Sequence, residues 1–294
     1  METILNTKRF SAMRTLTLSF LDLNDLAVIS KKRNMKSLEI GCVHQILDEE
    51  DFAFELLSWE SVSLFDGYDD DGTGDPPITD GQMEAFVQSF TDKSKMKCLT
   101  IKGYDLRKID IDAFAKCSKL EKIKLDMCEL NSAQMTALLE QCAQRTNLKE
   151  LNLGFWFNFR QLERVDPKTF ALGVTNIDKV TLNSNRKTYP HMEELLKTIG
   201  KETKMKDLTV PGGYLTGVDP DILAIGVNQL EKVDLSYTHL GKQQIEKIFQ
   251  QIMIKTNLKR LDIRGNLDLK YVHNHQKLLE DAKKKIDILI HDID

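Results

Sequence analysis

The chain is short of the features that mark a membrane span, a metal site, a nucleic-acid face or an active centre. Its five cysteines, at positions 42, 98, 117, 128 and 142, are odd in number, scattered and without paired metal spacing. That pattern excludes a disulfide framework and predicts reduced thiols filling small core sites in an intracellular protein. Lys and Arg (41) are interleaved with Asp and Glu (45), for a net charge of -4. No basic face of the kind phosphate neutralisation needs is formed, so nucleic acid is not an expected partner. No apolar run approaches 18 residues, and METILNTKRF lacks the apolar stretch of a signal peptide, so a soluble, cytoplasmic protein without a membrane partner is expected. Glycine-rich phosphate loops, Gly-x-Ser-x-Gly and Cys/His pairings in a motif context are all missing. The six histidines have no catalytic company. His273 and His275 beside Asp268 read as a solvated turn. Neither enzyme activity nor a cofactor is expected.

What the chain has is a short apolar signature, aliphatic–x–x–aliphatic–x–aliphatic, repeated eleven times. Its centres are Leu16, Leu38, Val62, Leu99, Ile123, Leu151, Val180, Leu208, Val233, Leu261 and Ile288. Two positions on stand Leu18, Ile40, Leu64, Ile101, Leu125, Leu153, Leu182, Val210, Leu235, Ile263 and Ile290, all aliphatic. Three positions before the centres the residue is apolar every time except at Lys285. With 41% hydrophobic residues overall, such regularity marks a repeat array.

From Leu99 onward two kinds of unit alternate. In the longer kind, counting back from centres 99, 151, 208 and 261 aligns Met83, Met135, Met192 and Ile245. Phe86, Leu138, Leu195 and Ile248 follow, then Val87, Leu139, Leu196 and Phe249, then Phe90, Cys142, Ile199 and Ile252. Offsets of zero, three, four and seven mark one face of an α-helix. The shorter kind, VDPKTFALGV and VDPDILAIGV, offers an Asp cap with Pro in the first helical position. Each unit is thus helix, turn, strand. Strands that each follow a crossover must be parallel, with right-handed connections, and no unit buries both faces alone.

Leu230, Val233, Leu235, Thr238 and Leu240, and likewise Leu120, Ile123, Leu125, Cys128 and Leu130, resemble the leucine-rich repeat pattern L-x-x-L-x-L-x-x-N/C/T-x-L. The alternating helix lengths resemble the ribonuclease-inhibitor-like branch. The resemblance implies an α/β solenoid, a right-handed β-α horseshoe with about eleven parallel strands on its concave face. It also implies protein binding, the commonest activity of that family. The array reads as one domain over residues 1–294, with irregular units in 1–65, an acidic loop insertion at 65–77 and regular units in 78–294.

Candidate binding residues lie on the strand face turned away from the helices and on its rim. The aromatic insert holds Phe155, Trp156, Phe157 and Phe159 beside Arg160, which is either a binding hot spot or a bulged turn packed into the core. Asn183, Asp234 and Arg264 extend the strand face, and Tyr214 and Tyr237, with Met127, extend an apolar lip. Asp66, Asp69, Asp70, Asp71 and Asp75 with nearby glycines and prolines form an exposed loop. Asp69, Asp71 and Thr73 are spaced like a calcium loop, but the bidentate Glu is missing and Pro76 and Pro77 stand in the way. The expected function is a non-catalytic scaffold, mainly monomeric, holding a protein partner on the concave face. The alternative is a regulator of an enzyme, an inhibitor or GTPase activator, acting by the same surface.

Overall fold

The computed structural model describes residues 15–20, 36–42, 59–65, 78–91, 94–154, 162–182, 189–199, 203–266 and 276–290. Strands form at the repeat centres because an aliphatic pair flanking one polar residue suits a period of two, with both aliphatics on the same face. The chain divides into two compact units, Met1–Gln134 and Met135–Asp294. The first contains β1 (Thr15–Phe20), β2 (Ser37–Cys42), β3 (Ser61–Phe65), β4 (Cys98–Lys102) and β5 (Lys122–Asp126). Consecutive strands are parallel, and Leu38, Val62, Leu99 and Ile123 stand in one lateral row. Between β3 and β4 lies α1 (Asp80–Gln88), and before β5 the short α2 (Ala113–Lys116). Phe90 knits them together, meeting Phe86 edge-on at 5.0 Å and Phe114 at 5.6 Å.

The division falls within α3 (Ser132–Gln144). The second unit then runs β6 (Glu150–Leu153), α4 (Pro167–Thr175), β7 (Lys179–Leu182), α5 (Tyr189–Ile199), β8 (Asp207–Thr209), α6 (Pro220–Gln229), β9 (Lys232–Asp234), α7 (Lys242–Ile254), β10 (Arg260–Asp262), α8 (Gln276–Lys283) and β11 (Asp287–Leu289). Its strands too are parallel in sequence order, with Leu151 beside Val180, Val180 beside Leu208, and Val233 between Leu208 and Leu261. This is the leucine-rich repeat solenoid architecture. Every helical residue aligned above, from Met83 to Ile252, is buried. Asp166 and Asp219 cap α4 and α6, with Pro in the first turn of each. Gly173 and Gly226 let α4 and α6 approach the preceding helix so closely that an added Cβ would lie 2.8 Å from Leu139 and Leu196. Lys285, the one polar residue in its row, donates from Nζ to the carbonyls of Ile252 and Met253 at the end of α7. Among the described residues no helix is long and apolar enough to cross a membrane.

A side-chain clamp fixes each short unit to the long helix that follows. Gln134 Nε2 donates to the carbonyls of Leu106 (2.8 Å) and Ile109 (2.6 Å), while its Oε1 accepts from Asn131 N. Gln244 repeats the arrangement on Leu215 (2.7 Å), Val218 (2.8 Å) and Gly241 N. In the repeat between them the same station is His191, whose Nε2 lies 2.8 Å from the Val165 carbonyl. A carbonyl only accepts, so Nε2 carries the hydrogen. His191, the buried one of the two described histidines, is therefore a structural stand-in for glutamine. His191→Gln should keep the wild-type urea midpoint, whereas His191→Ala, which strands a buried carbonyl, should lose about 1 to 3 kcal/mol. Equal midpoints for the two variants would contradict the clamp.

Candidate protein-binding face of the sheet

Along β3 and β6, buried residues alternate with half-exposed ones, so one face of these strands is turned into the core and the other is open. In the second unit the open face carries two rows. The first, just before the centres, is Glu150, Lys179, Asp207, Lys232, Arg260 and Asp287. Strands stacked about 4.8 Å apart place these side chains next to one another, and the signs alternate almost throughout. Lys179 meets Glu150 at 3.5 Å, Lys232 meets Asp207 at 3.7 Å and Arg260 meets Asp287 at 3.9 Å. A second alternating row lies one residue earlier, with Lys36, Glu60 and Lys97 joined at 2.9 and 3.2 Å in the first unit and Glu231 and Lys259 at 2.6 Å in the second. The lysines beside Glu60 hold its carboxyl below the usual range. Exposed pairs of this kind are individually weak, but like charges side by side would oppose the register.

The row just after the centres, Asn152, Thr181, Thr209, Asp234, Asp262 and Leu289, is smaller and mostly polar. Lys179, Asp207, Thr209, Lys232, Asp234, Arg260 and Asp262 surround a shallow recess of about 230 Å³. Asp262, 5% exposed, is gripped by Arg264, with Nε at 2.9 and 3.0 Å and Nη2 at 2.6 Å. This carboxylate raises the pKa of the guanidinium, with Asp234 adding to the effect. Asp234 itself accepts from Ser236 N at 2.9 Å.

The rim is built by a turn that recurs four positions after the centre. Gly103 and Met127 in the first unit, and Gly212, Tyr237 and Gly265 in the second, all have positive φ. That conformation swings the next residue back into the core. There Cys128 approaches the Ile101 and Asp126 carbonyls, Thr238 donates to Leu235 O, and Asn266 donates to Leu235 O and Ile263 O while accepting from Leu240 N. Where the turn residue is not glycine its side chain is displayed, with Met127 42% and Tyr237 58% exposed. Tyr214 stands two positions beyond that station, so it pairs with His239 rather than with Tyr237. Their rings stack at 4.5 Å and 14°.

Of the residues expected to bind a partner, the structure puts Asp234, Tyr237 and Arg264 on the strands and turns of two adjacent repeats, with Tyr214 on the repeat before. Phe155, Trp156, Phe157, Phe159, Arg160 and Asn183 lie outside the described residues, as do the acidic segment 66–77 and the pair His273 and His275. Sequence reasoning missed His239, Asp262 and Gly265 as supports of this rim, and Gln134 and Gln244 as clamps. The signal was present in the aligned repeats. Gln82, Gln134, His191 and Gln244 each precede the first residue of the aligned helical face, and Lys alternates with Glu or Asp two positions before consecutive centres from Lys36 to Lys259.

Three of the described thiols are shielded from reaction. Cys117, Cys128 and Cys142 are buried, and burial pushes the last two up to about 12. Cys98 is half-exposed on the open face of β4. Iodoacetamide at pH 8 should therefore alkylate Cys98 in the native protein and spare Cys128 and Cys142 until denaturant is added, as read by peptide mass spectrometry. Native alkylation of either buried thiol would refute the packing described.

No protein-family model matches the chain, and no curated protein matches it in sequence. Among solved structures the chain is similar to an internalin (inlF) from Listeria monocytogenes strain 4b F2365. The two are 15% identical, with a TM-score of 0.49, over 91% of this chain and 70% of that one.

Proposed function

We propose that this protein is a non-catalytic interaction scaffold of the ribonuclease-inhibitor-like leucine-rich repeat type, and that it binds a protein partner through the open face of the sheet and the adjoining rim. The observation that carries this reading is the contrast between the two surfaces of the second unit. The open face holds charges that are already paired with one another, small polar side chains, and aromatic rings displayed by turns of fixed geometry. Such a surface loses little side-chain entropy on binding and strands few charges when water leaves. The alternation of long and short helical units supports the branch assignment. Free thiols at Cys98, Cys117, Cys128 and Cys142 suit an intracellular setting. The shallow recess of about 230 Å³ suits a macromolecule better than an enclosed small substrate.

Site-specific photo-cross-linking tests the face. p-Benzoylphenylalanine is placed at Thr209 on the open face, at Thr216 beside the rim, or at Gln250 on the exposed side of α7, and irradiated in native lysate. Adducts of discrete mass should form from Thr209 and Thr216 and be absent from Gln250. Adducts from Gln250 alone would overturn the proposal.

A further inference from the structure

In the second unit the charge rows of the open face break their pattern on two adjacent strands, β9 and β10. Two positions before the centres these strands keep the alternation, with Glu231 beside Lys259 at 2.6 Å. One position before the centres, however, Lys232 stands directly beside Arg260, and one position after them Asp234 stands directly beside Asp262. Like charges side by side oppose strand pairing, so β9 and β10 carry two unfavourable lateral pairs of opposite sign. Both pairs border the recess of about 230 Å³. The carboxylates nearest the two cations leave their hydrogens unused. Asp207 is 3.7 Å from Lys232 and Asp287 is 3.9 Å from Arg260, and neither cationic side chain donates a hydrogen bond among the described residues. Of the two acids, Asp262 is committed to Arg264. Asp234 accepts only Ser236 N, on Oδ1, among the described residues, and feels Arg264 through space.

The core does not demand this arrangement, since the side chains of Lys232 and Arg260 are 58% and 55% exposed. A local violation that packing does not require marks a place where function is favoured over stability. Side chains two apart on one strand share a face and stand about 6.6 Å apart, so the cation pair and Asp234 form a polar couple of that length. An extended segment of another chain has the same spacing between its own residues i and i+2. A carboxylate laid between Lys232 and Arg260 relieves their repulsion and takes the hydrogens that Asp207 and Asp287 leave unused. An ammonium two residues along the same segment meets Oδ2 of Asp234. We propose that the recess over β9 and β10 docks an extended peptide segment of mixed charge, with Glu and Lys two residues apart on one face. Charge complementarity carries the assignment. A wholly acidic segment would set a carboxylate against Asp234 and Asp262, and a wholly basic one would set an ammonium against Lys232 and Arg260. This inference rests on the reading that the open face binds a protein partner, and it specifies the chemistry of the contact.

Fluorescence anisotropy with labelled decapeptides of Thr and Ser tests it, each carrying one central charged motif: Glu-Thr-Lys, Glu-Thr-Glu, Lys-Thr-Lys, or Glu-Lys with the two charges on opposite faces. The Glu-Thr-Lys peptide should bind at least about tenfold more tightly than each of the others. Arg260→Gln and Asp234→Asn should each weaken that peptide about tenfold. The melting temperature should not fall in either variant, because each change also removes one of the lateral like-charge pairs. No saturable binding of the Glu-Thr-Lys peptide, equal binding of all the peptides, or wild-type affinity in either folded variant would overturn the proposal. If Thr209 still cross-links a partner in that case, only the paired-charge chemistry fails. If adducts come from Gln250 alone, the binding face fails as well.

Discussion

Several of the described repeats leave main-chain carbonyls that a side chain of the neighbouring repeat satisfies, and the packing between them depends on those bonds. The turn carbonyls of Leu106 and Ile109 are met by Gln134, those of Leu215 and Val218 by Gln244, and that of Val165 by His191. At the other end of the strands, Cys128 reaches Ile101 O and Asn266 reaches Leu235 O. Buried carbonyls without partners are expensive, so an isolated unit is incomplete and neighbours fold together. Main-chain bonds such as Lys179 N to Lys149 O and Asp207 N to Asp178 O hold the lateral register in which Leu151, Val180 and Leu208 stand side by side.

Once register is fixed, every station of the repeat becomes a row, and rows with different chemistry acquire different roles. Rows of alternating charge neutralise themselves across the strands, as at Lys36, Glu60 and Lys97. The aliphatic rows close on the helices. The turn row is the one in which a side chain is neither required by the core nor cancelled by a neighbour, and there the sequence departs from glycine at Met127 and Tyr237. The rim is therefore where this repeat array can vary its surface without disturbing the packing beneath.

The strand centres, the helical face from Met83 to Ile252 and the Asp-Pro helix starts at 166 and 219 could all be read from the sequence. Each depends on a local period or a local cap, which the order of residues states directly. The glutamine clamps were visible only as a column of the alignment, because a buried amide looks like any polar residue until its carbonyl partners, 25 to 29 positions away, are known. The candidate site was legible in part. Asp234, Tyr237 and Arg264 could be assigned to the open side and its rim from the alternation of the strand.

By itself the sequence determined the period, the type of element in each unit and the parallel order of the strands, because hydrophobic burial at a repeating interval admits one way of stacking. Which side chains the turns display was decided only by tertiary structure. The left-handed backbone at Tyr237 and His239, the Tyr237 ring over Gly265, the stack of Tyr214 on His239 and the grip of Arg264 on Asp262 all arise between or around turns. Their geometry is set by the neighbouring repeat some 25 to 28 residues away, a distance at which no local periodicity operates.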